Sequence, residues 1–239
     1  MEEEKKFYEY LEELRKRVLK SLAVIAIFSI LVYAYKEKIV SILVSPLNQK
    51  LVFLSPTEPL VTLIKLSFLI GLIIAFPYVI YQIWSFISEI FDKKSRKKIS
   101  KYIFFSIALF YSAIIFCYTI ILPFTLNFLI NLEGLPLIQS ITFSNYIDFS
   151  LYLMLIFGIM FQFPIILLFL VELRIVSLNQ LRKKRAYFIL GIFVFAAILT
   201  PTPDAFTQIL LAIPLWFLFE ITLIIIRLNR DYKKIDNSD

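Results

Sequence analysis

Three charged side chains follow one another at helical spacing near the start of the chain. Glu9, Glu13 and Arg17 are each four residues apart, which places them on one face of a helix. Glu9 and Glu13 carry like charges on adjacent turns, and an incoming cation stabilises such a pair, guanidinium being the best partner. The alternative is an ordinary solvated face with a Glu13–Arg17 ion pair worth roughly 0.3–0.5 kcal/mol. Both interpretations remain open at this point.

The residue types that are missing exclude most catalytic chemistry. The chain contains no histidine and a single cysteine, Cys117. Neither a Ser-His-Asp nor a Cys-His nucleophilic site can form without histidine, and the usual histidine-containing zinc sites are excluded as well. One cysteine makes no internal disulfide and no CxxC motif, which argues against thiol redox chemistry. We therefore expect no catalytic residue, no metal site and no cofactor.

The elements that must position these residues are membrane helices. Hydrophobic residues make up 60% of the 239 residues and charged residues only 18%, and the mean hydropathy is +0.82. Because about 20 apolar residues cross a bilayer as a helix, the sequence predicts an all-α membrane protein with six spans. The predicted spans are 18–35, 60–91, 103–122, 149–171, 187–200 and 206–226. The last two form a hairpin around a turn at 201–204, and its first arm is short for a full bilayer.

We expect one transmembrane domain over residues 1–239. It consists of a cytoplasmic amphipathic helix at 1–17, a six-span bundle at 18–226 and a cytoplasmic tail at 227–239. Four apolar residues, running from this helix into the start of span one, have the spacing of one helix face: Phe7, Leu11, Leu14 and Val18. The first 17 residues are charged, and the first apolar stretch lacks a small-residue cleavage site, so a secretory signal is not indicated.

Basic residues concentrate on one side of this topology. With both termini on the same side, that side collects the Lys and Arg residues of the N-terminal tail, the second and fourth loops and the C-terminal tail. The opposite side has only Lys36, Lys38 and Lys50, with Lys65 just inside span two. The positive-inside rule therefore places both termini in the cytoplasm. The net charge of +7 reflects this orientation, and no nucleic-acid partner is needed to explain it.

Four prolines and one glutamine interrupt the apolar spans. Pro77, Pro164 and Pro214 each remove a backbone hydrogen bond and bend a helix, which favours a curved, concave bundle. Unrelated kinks that packing tolerates are the alternative. Pro123 is expected to end span three. Gln162 lies near the middle of span four, where an interhelical hydrogen bond worth about 1 kcal/mol is its ordinary role.

Short motifs along the whole chain resemble the TatC family, the polytopic core of twin-arginine protein translocation. The segment YLEELRKR at 10–17 is similar to that family's HLxELRxR, with Tyr10 in place of the usual histidine. Further motifs follow in the family's order: SPTEP at 55–59, FPYVIYQIW at 76–84, FG at 157–158, FQFP at 161–164, LRKKR at 181–185, LTP at 199–201, PD at 203–204, LAIP at 211–214 and FE at 219–220. Each motif is weak alone, but the ordered set is specific.

The resemblance implies a signal-peptide receptor and scaffold subunit, not an enzyme, that helps to export folded proteins across an energised cell membrane. A thylakoid or other organellar membrane is a second option for its location. The implied partners are twin-arginine signal peptides, small single-span subunits of the TatA and TatB type, lipid, and further copies of the chain in a larger complex. The implied peptide-binding residue is Glu13, with Glu9, Glu12 and Arg17 beside it.

The sequence departs from the family pattern at two acidic positions. The family's second glutamate, in the loop after span two, aligns with Ser95, and Asp92 or Glu89 are the available substitutes. Basic residues surround this loop, so we expect it to face lipid phosphates more than to recognise a cationic peptide. Where the family frequently has an acid in span four, Gln162 keeps the size and the acceptor oxygen but loses the charge.

Four further polar residues, together with Gln162, are expected to make intramembrane polar contacts or to contact partner subunits: Glu58, Asp204, Gln208 and Glu220. Glu58 also suits the N-terminus of a helix that begins at Pro59 or Leu60. Glu220 lies within reach of the membrane interface or of Arg227.

A secondary transporter or channel of unknown substrate is the alternative function. Three observations argue against it. The sequence has only four glycines, it shows no duplicated halves, and it has no unpaired charge deep in a span. An intramembrane enzyme is excluded by the missing histidine and by the lack of a GxSxG or paired-carboxylate motif within the spans.

Overall fold

A computed structural model describes residues 2–47, 51–90, 93–131, 141–173, 175–199 and 205–228. Within these ranges every named element is a helix, which confirms the predicted fold class. The α-helices in chain order are α1 (Glu2–Ala34), α2 (Lys36–Val44), α3 (Glu58–Ile90), α4 (Lys93–Phe116), α5 (Leu122–Asn131), α6 (Phe143–Met160), α7 (Phe163–Glu172), α8 (Leu178–Lys183), α9 (Arg185–Leu199) and α10 (Ala205–Leu228). A π-helical turn, Cys117–Ile121, lies between α4 and α5.

Five helical segments in the described ranges are long and apolar enough to cross a membrane: Tyr8–Ala34, Glu58–Ile87, Ile99–Phe128, Phe143–Glu172 and Gln208–Leu228. They coincide with predicted spans one to four and six. Predicted span five corresponds to α9, whose 15 residues extend about 22 Å. That length is short of a hydrocarbon core of about 30 Å. The count of six, the cytoplasmic termini and the concave shape therefore stay predictions.

The chain groups into two compact units. The first comprises residues 1–108 and 126–155, and the second comprises residues 109–125 and 156–239. In the first unit the predicted N-terminal helix and span one are one uninterrupted helix, α1. The single transmembrane domain expected for the whole chain stays a prediction.

Helix α1 packs along α3 in the first unit. Their close approach depends on Gly71, which is buried. A Cβ atom at this position would lie 2.8 Å from the backbone nitrogen and 2.9 Å from the Cα of Ser29. Because these atoms belong to the backbone of α1, no side-chain rotation could relieve the contact. The absence of a side chain at Gly71 thus allows the two helices to meet.

Two loops of the first unit join through a short backbone bridge. Val52 donates its N–H to the carbonyl of Ile141 at 3.1 Å, and Phe143 donates to the carbonyl of Val52 at 2.8 Å. The buried Tyr146 hydroxyl donates to the carbonyl of Leu43 at 2.7 Å. We call the region formed by residues 51–57 and 141–146 the loop clasp. It connects α2, the start of α3 and the start of α6.

Pro123 does not end span three, contrary to prediction. The helix passes through the π-helical turn, where the Leu122 N–H bonds to the carbonyl of Cys117, five residues earlier. This wider turn changes the hydrogen-bond register just before the proline. Pro123 is then the second residue of α5, and a proline in the first turn of a helix is tolerated because its missing N–H is not required there.

The proline of span four has a different effect from the other two. The segment is interrupted between α6 and α7, and Pro164 is the second residue of α7. Pro77 and Pro214 remain inside continuous helices, so the bends predicted for them stay predictions. Around the interruption, Phe157 and Phe161 pack against Phe116 with ring centroids 6.2 and 6.3 Å apart. These aromatic contacts fill the core of the second unit beside the break.

Candidate binding groove

Helices α1 and α3 border a groove of about 560 Å³ in the first unit. It is lined by three carboxylates and three cations of α1 and by polar residues of α3: Glu9, Glu12, Glu13, Lys16, Arg17, Lys20, Tyr81, Gln82 and Ser85. We call this surface the carboxylate groove. The acidic and basic side chains balance in formal charge, so the groove can bind a cationic ligand only by sharing or exchanging its internal ion pairs.

Packing on another face of α3 sets the direction of the groove wall. Trp84 is only 4% exposed, and its indole N–H donates to the hydroxyl of Ser106 on α4 at 3.2 Å. Its ring stacks on Tyr102 with centroids 5.0 Å apart. Because Trp84 is held against α4, other faces of α3 are turned toward α1. They carry Ser85, about 100° around the helix from Trp84, and Gln82, about 200° around it.

An ion pair within α1 is tied to α3 at the centre of the groove. Nη2 and Nε of Arg17 donate to Oε1 of Glu13 at 2.7 and 3.2 Å. Nη1 of Arg17 donates to the backbone and side-chain oxygens of Gln82, both at 3.4 Å. The Gln82 amide in turn donates to the Tyr78 hydroxyl at 2.7 Å. Arg17 is 14% exposed and Glu13 is 40% exposed, so the cation is fixed between helices while the carboxylate stays accessible.

The two other carboxylates of the groove are more exposed. Oε1 of Glu12 lies 2.8 Å from Nζ of Lys16, and each of these side chains is 65% exposed. A solvated pair of this kind contributes little to stability and exchanges partners easily. Glu9 is likewise exposed. The groove therefore combines one carboxylate oriented by a fixed guanidinium with two that can adapt to a ligand.

Four of the six residues predicted to bind a peptide line this one groove: Glu9, Glu12, Glu13 and Arg17. The Glu13–Arg17 ion pair of the simpler interpretation is present, but Arg17 also contacts α3, so this face is packed and not merely solvated. Asp92 and the side chains of Ser95 and Glu89 lie outside the described part of the structure. Their predicted roles stay predictions.

Sequence reasoning missed the α3 wall of the groove. Tyr81 and Gln82 belong to the motif at 76–84, but the motif alone does not indicate that they line a groove. A usable signal exists, since Tyr78, Gln82 and Ser85 recur at i, i+4 and i+7 and form a polar stripe at one end of an apolar span.

Glu58 stands in the first turn of α3, as expected of an acid at a helix N-terminus. Its carboxylate, however, joins two loops and does not accept from an N–H of its own helix. Oε2 accepts from the backbone N–H of Leu54 at 2.7 Å, and Oε1 accepts from that of Ser144 at 3.0 Å. Helix α3 begins at Glu58 itself, and the side chain points back into the loop clasp. Ser144 lies in the first turn of α6, where a carboxylate satisfies a free N–H and opposes the helix dipole.

A second acidic residue near the loop clasp was not predicted. Oδ2 of Asp148 on α6 lies 2.9 Å from Nζ of Lys65 on α3, with side-chain exposures of 22% and 44%. The Ser144 hydroxyl donates to the same oxygen at 3.5 Å. Asp148 stands directly before the predicted start of span four, so it was assigned to neither the loop nor the membrane. Lys65, which lies just inside span two, is thereby paired with a carboxylate of α6.

The polar residues predicted within the later spans have contacts inside the second unit. Gln162 is buried at the break between α6 and α7, and its amide donates to the carbonyl of Gly158, one turn earlier, at 3.4 Å. Gln208 on α10 donates to the carbonyl of Phe193 on α9 at 2.9 Å. Glu220 pairs with Arg185, 2.5 Å away, and not with Arg227, which was one of the two options expected for it. Asp204 lies outside the described residues.

The fold and the groove define a class of protein. The elements of the described ranges are all helical and include five helical segments of membrane length, which defines a polytopic membrane protein. The carboxylate groove presents acidic side chains to a ligand, as a binding or scaffold protein requires. Among the described residues, no group of three or more His, Cys, Asp or Glu side chains could hold a metal ion.

The particular family follows from comparison with known proteins. Residues 9–214 match the family of the Sec-independent protein translocase protein TatC. The chain is 36% identical over 221 residues to the TatC protein of Carboxydothermus hydrogenoformans, covering 91% of each chain. It is 36% identical over 219 residues to TatC of Escherichia coli K12, covering 89% of this chain and 84% of that one. The chain belongs to the TatC family.

A solved structure supports the same assignment. The crystal structure of the twin arginine translocase receptor TatC in the detergent DDM matches with a TM-score of 0.80 and 38% identity. The match covers 90% of this chain and 98% of that one. The chain is therefore a subunit of the twin-arginine, Sec-independent protein translocase, a cell-membrane protein and not an enzyme. This assignment decides against the transporter or channel alternative.

Proposed function

We propose that the chain is the subunit that recognises the twin-arginine signal peptide, and that the carboxylate groove receives the two arginines. The observation that carries this proposal is the accessible Glu13 carboxylate beside the fixed Arg17, with Glu9 and Glu12 in the same groove. The charge asymmetry of the sequence predicts that this groove faces the cytoplasm, where a signal peptide arrives.

The groove accommodates arginine by exchanging ion pairs. The solvated Glu12–Lys16 pair opens at little cost, so a peptide guanidinium can replace the Lys16 ammonium. Arg17 stays in place because Gln82 holds it, and it keeps Glu13 oriented for a second guanidinium. A planar guanidinium binds a carboxylate through two parallel hydrogen bonds, whereas lysine is a point charge. Two arginines are therefore bound more tightly than two lysines.

Photo-crosslinking from the α3 wall tests this proposal without altering a carboxylate. A benzoylphenylalanine at Tyr81, which lines the groove, should capture a signal peptide with two arginines and far less of one with two lysines. The matched control is the same group at Ile83, which is similarly exposed but does not line the groove. Equal capture of both peptides, or equal capture from both positions, would contradict the proposal.

We also propose that small single-span subunits of the TatA and TatB type assemble on this chain, and that copies of the chain associate. The internal contacts of Gln208 and Glu220 support a shaping role, because both tie α10 to α9 and so determine the surface that a partner helix meets. Gln208→Ala should change crosslinking between α9 and a single-span subunit while peptide capture at Tyr81 continues. Unchanged crosslinking to that subunit would argue against this role.

A further inference from the structure

The second unit contains an apolar pocket that the proposed function does not use. Its volume is about 320 Å³, and it is bordered by α7, α9 and α10 with Phe163, Pro164 and Phe188 in its wall. At Gly191, which also lines it, an added Cβ would meet no atom within 4 Å. Tyr187 at its rim is 74% exposed. The pocket is thus open along the side of apolar helices and lies in the size range of ligand sites.

A short amphipathic helix lies next to this pocket in the chain. Helix α8 buries Leu178 and Leu181 and exposes Arg182 and Lys183. A capping box with Ser177 as its first residue closes the start of α8 and stabilises this short helix.

The basic face continues to the edge of the pocket. The carbonyl of Lys184 accepts from the backbone N–H groups of Tyr187 and Phe188 at 3.0 and 3.2 Å. Both Tyr187 and Phe188 line the pocket. Lys184, which is exposed, therefore lies one helical turn away from the pocket lining. Arg185 is engaged with Glu220 inside the unit. Three exposed cations, Arg182, Lys183 and Lys184, therefore precede the mouth of an apolar pocket.

We propose that the pocket and these three cations form one binding site for an anionic phospholipid. An acyl chain occupies the pocket at Gly191, and the phosphate headgroup contacts Arg182, Lys183 and Lys184. Bulk lipid is as apolar as the pocket wall, so moving an acyl chain from the bilayer into the pocket gives no hydrophobic gain that would select one ligand over another. An empty pocket would forfeit dispersion contacts that an acyl chain restores, and the cations then select the negatively charged headgroup.

The shape of the pocket favours a chain of lipid over a helix of another protein. A helix with its side chains is about 10–12 Å across, and a pocket of about 320 Å³ between helices admits a narrower group. The neighbouring cations also require a ligand with negative charge at its end. A phospholipid combines both properties in one molecule, whereas free phosphate has no part that fills the pocket.

The site is tested by native mass spectrometry of the delipidated full-length protein, titrated with dioleoylphosphatidylglycerol or dioleoylphosphatidylcholine. We expect the anionic lipid to be retained preferentially. Replacing Lys183 and Lys184 together by Gln should reduce this preference by roughly fivefold for each charge removed. Lys101→Gln, at an exposed cation far along the chain, is the matched control and should retain the preference.

The pocket itself is tested by filling it. Gly191→Phe places a ring in open space and should abolish the tightly bound lipid, whereas Val194→Phe introduces the same side chain outside the pocket and should not. Equal retention of both lipids, or a lipid adduct that survives Gly191→Phe, would overturn the proposal. The proposal would also be overturned if the Gly191→Phe variant kept its lipid but no longer bound a second copy of the chain or another subunit. The occupant of the pocket would then be a protein helix.

Discussion

Arg17 on α1 contacts Gln82 on α3, with Nη1 3.4 Å from both oxygens of that residue, while Nη2 of the same guanidinium lies 2.7 Å from Oε1 of Glu13. This relationship makes a local ion pair part of the tertiary structure. A carboxylate held by a fixed partner loses less side-chain entropy when it binds a ligand, and preorganised groups bind more tightly for that reason. The position of Glu13 in the groove thus depends on a residue of a different helix.

Removal of the Gln82 side chain should therefore weaken peptide binding although Gln82 carries no charge. Gln82→Ala leaves Arg17 with fewer contacts to α3, and we expect the dissociation constant of a twin-arginine peptide to rise about three- to tenfold. Fluorescence anisotropy with a labelled peptide measures it. Ile83→Ala, at the exposed neighbour, is the control. An equal effect of the two substitutions would show that Gln82 acts only through helix stability.

The three carboxylates of the groove should differ in importance. Glu13→Ala removes the oriented carboxylate and should weaken peptide binding by roughly tenfold or more, since hydrogen bonds between charged groups are among the strongest. Glu12→Ala should have a smaller effect, because its partner Lys16 is solvated. Ser95→Ala should have the smallest effect. If Ser95→Ala were the most damaging, the recognition site would lie in the loop after span two and not in the groove.

Glu58 should stabilise the loop clasp through the two backbone N–H groups that it accepts. Glu58→Gln retains one acceptor oxygen and replaces the other by a donor, which opposes the N–H of Leu54 or Ser144. We expect a melting temperature lowered by a few degrees in detergent and faster proteolysis within residues 51–57. Glu37→Gln, at an exposed acid on α2, is the matched control. Equal melting temperatures for both variants would refute the bridging role.

Two glycines in membrane helices should respond in opposite ways to alanine. Gly71→Ala forces α1 and α3 apart, because its Cβ would lie 2.8 Å from the Ser29 nitrogen, and it should cost about 1–3 kcal/mol of stability. Gly191→Ala meets no atom within 4 Å and should be neutral or stabilising by up to about 1 kcal/mol through helix propensity. Thermal unfolding of both variants in the same detergent provides the comparison. Similar destabilisation by the two would contradict the close approach at Gly71.

The Lys65–Asp148 ion pair should show a measurable coupling energy. In a double-mutant cycle with Lys65→Met and Asp148→Asn, we expect a coupling of about 0.2–1 kcal/mol, because both side chains are partly exposed and solvent screens their interaction. Denaturant unfolding of the four proteins measures it. Strictly additive effects would mean that the pair contributes nothing to the contact between α3 and α6.

The sequence by itself determined the fold class and the positions of the membrane helices. Span two, predicted at 60–91, is observed as Glu58–Ile90, and span six, predicted at 206–226, is observed as Ala205–Leu228. These elements are predictable because a helix satisfies its own backbone hydrogen bonds, and a run of about 20 apolar residues supplies the length that the bilayer requires. The spacing of Glu9, Glu13 and Arg17 is predictable for a similar reason, because it depends only on residues that are close in the sequence.

Only the tertiary structure decided which polar groups meet. Arg17 and Gln82, Lys65 and Asp148, and Glu58 and Ser144 are separated by 65, 83 and 86 positions, and no periodicity of the sequence connects them. Glu58 was therefore assigned to its own helix, and Asp148 was overlooked. Such pairs depend on how helices pack, through contacts like that of Gly71 with Ser29, and not on the chemistry of either segment alone. The packing of α1 against α3 thus places the acidic side chains of α1 in a groove that both helices line.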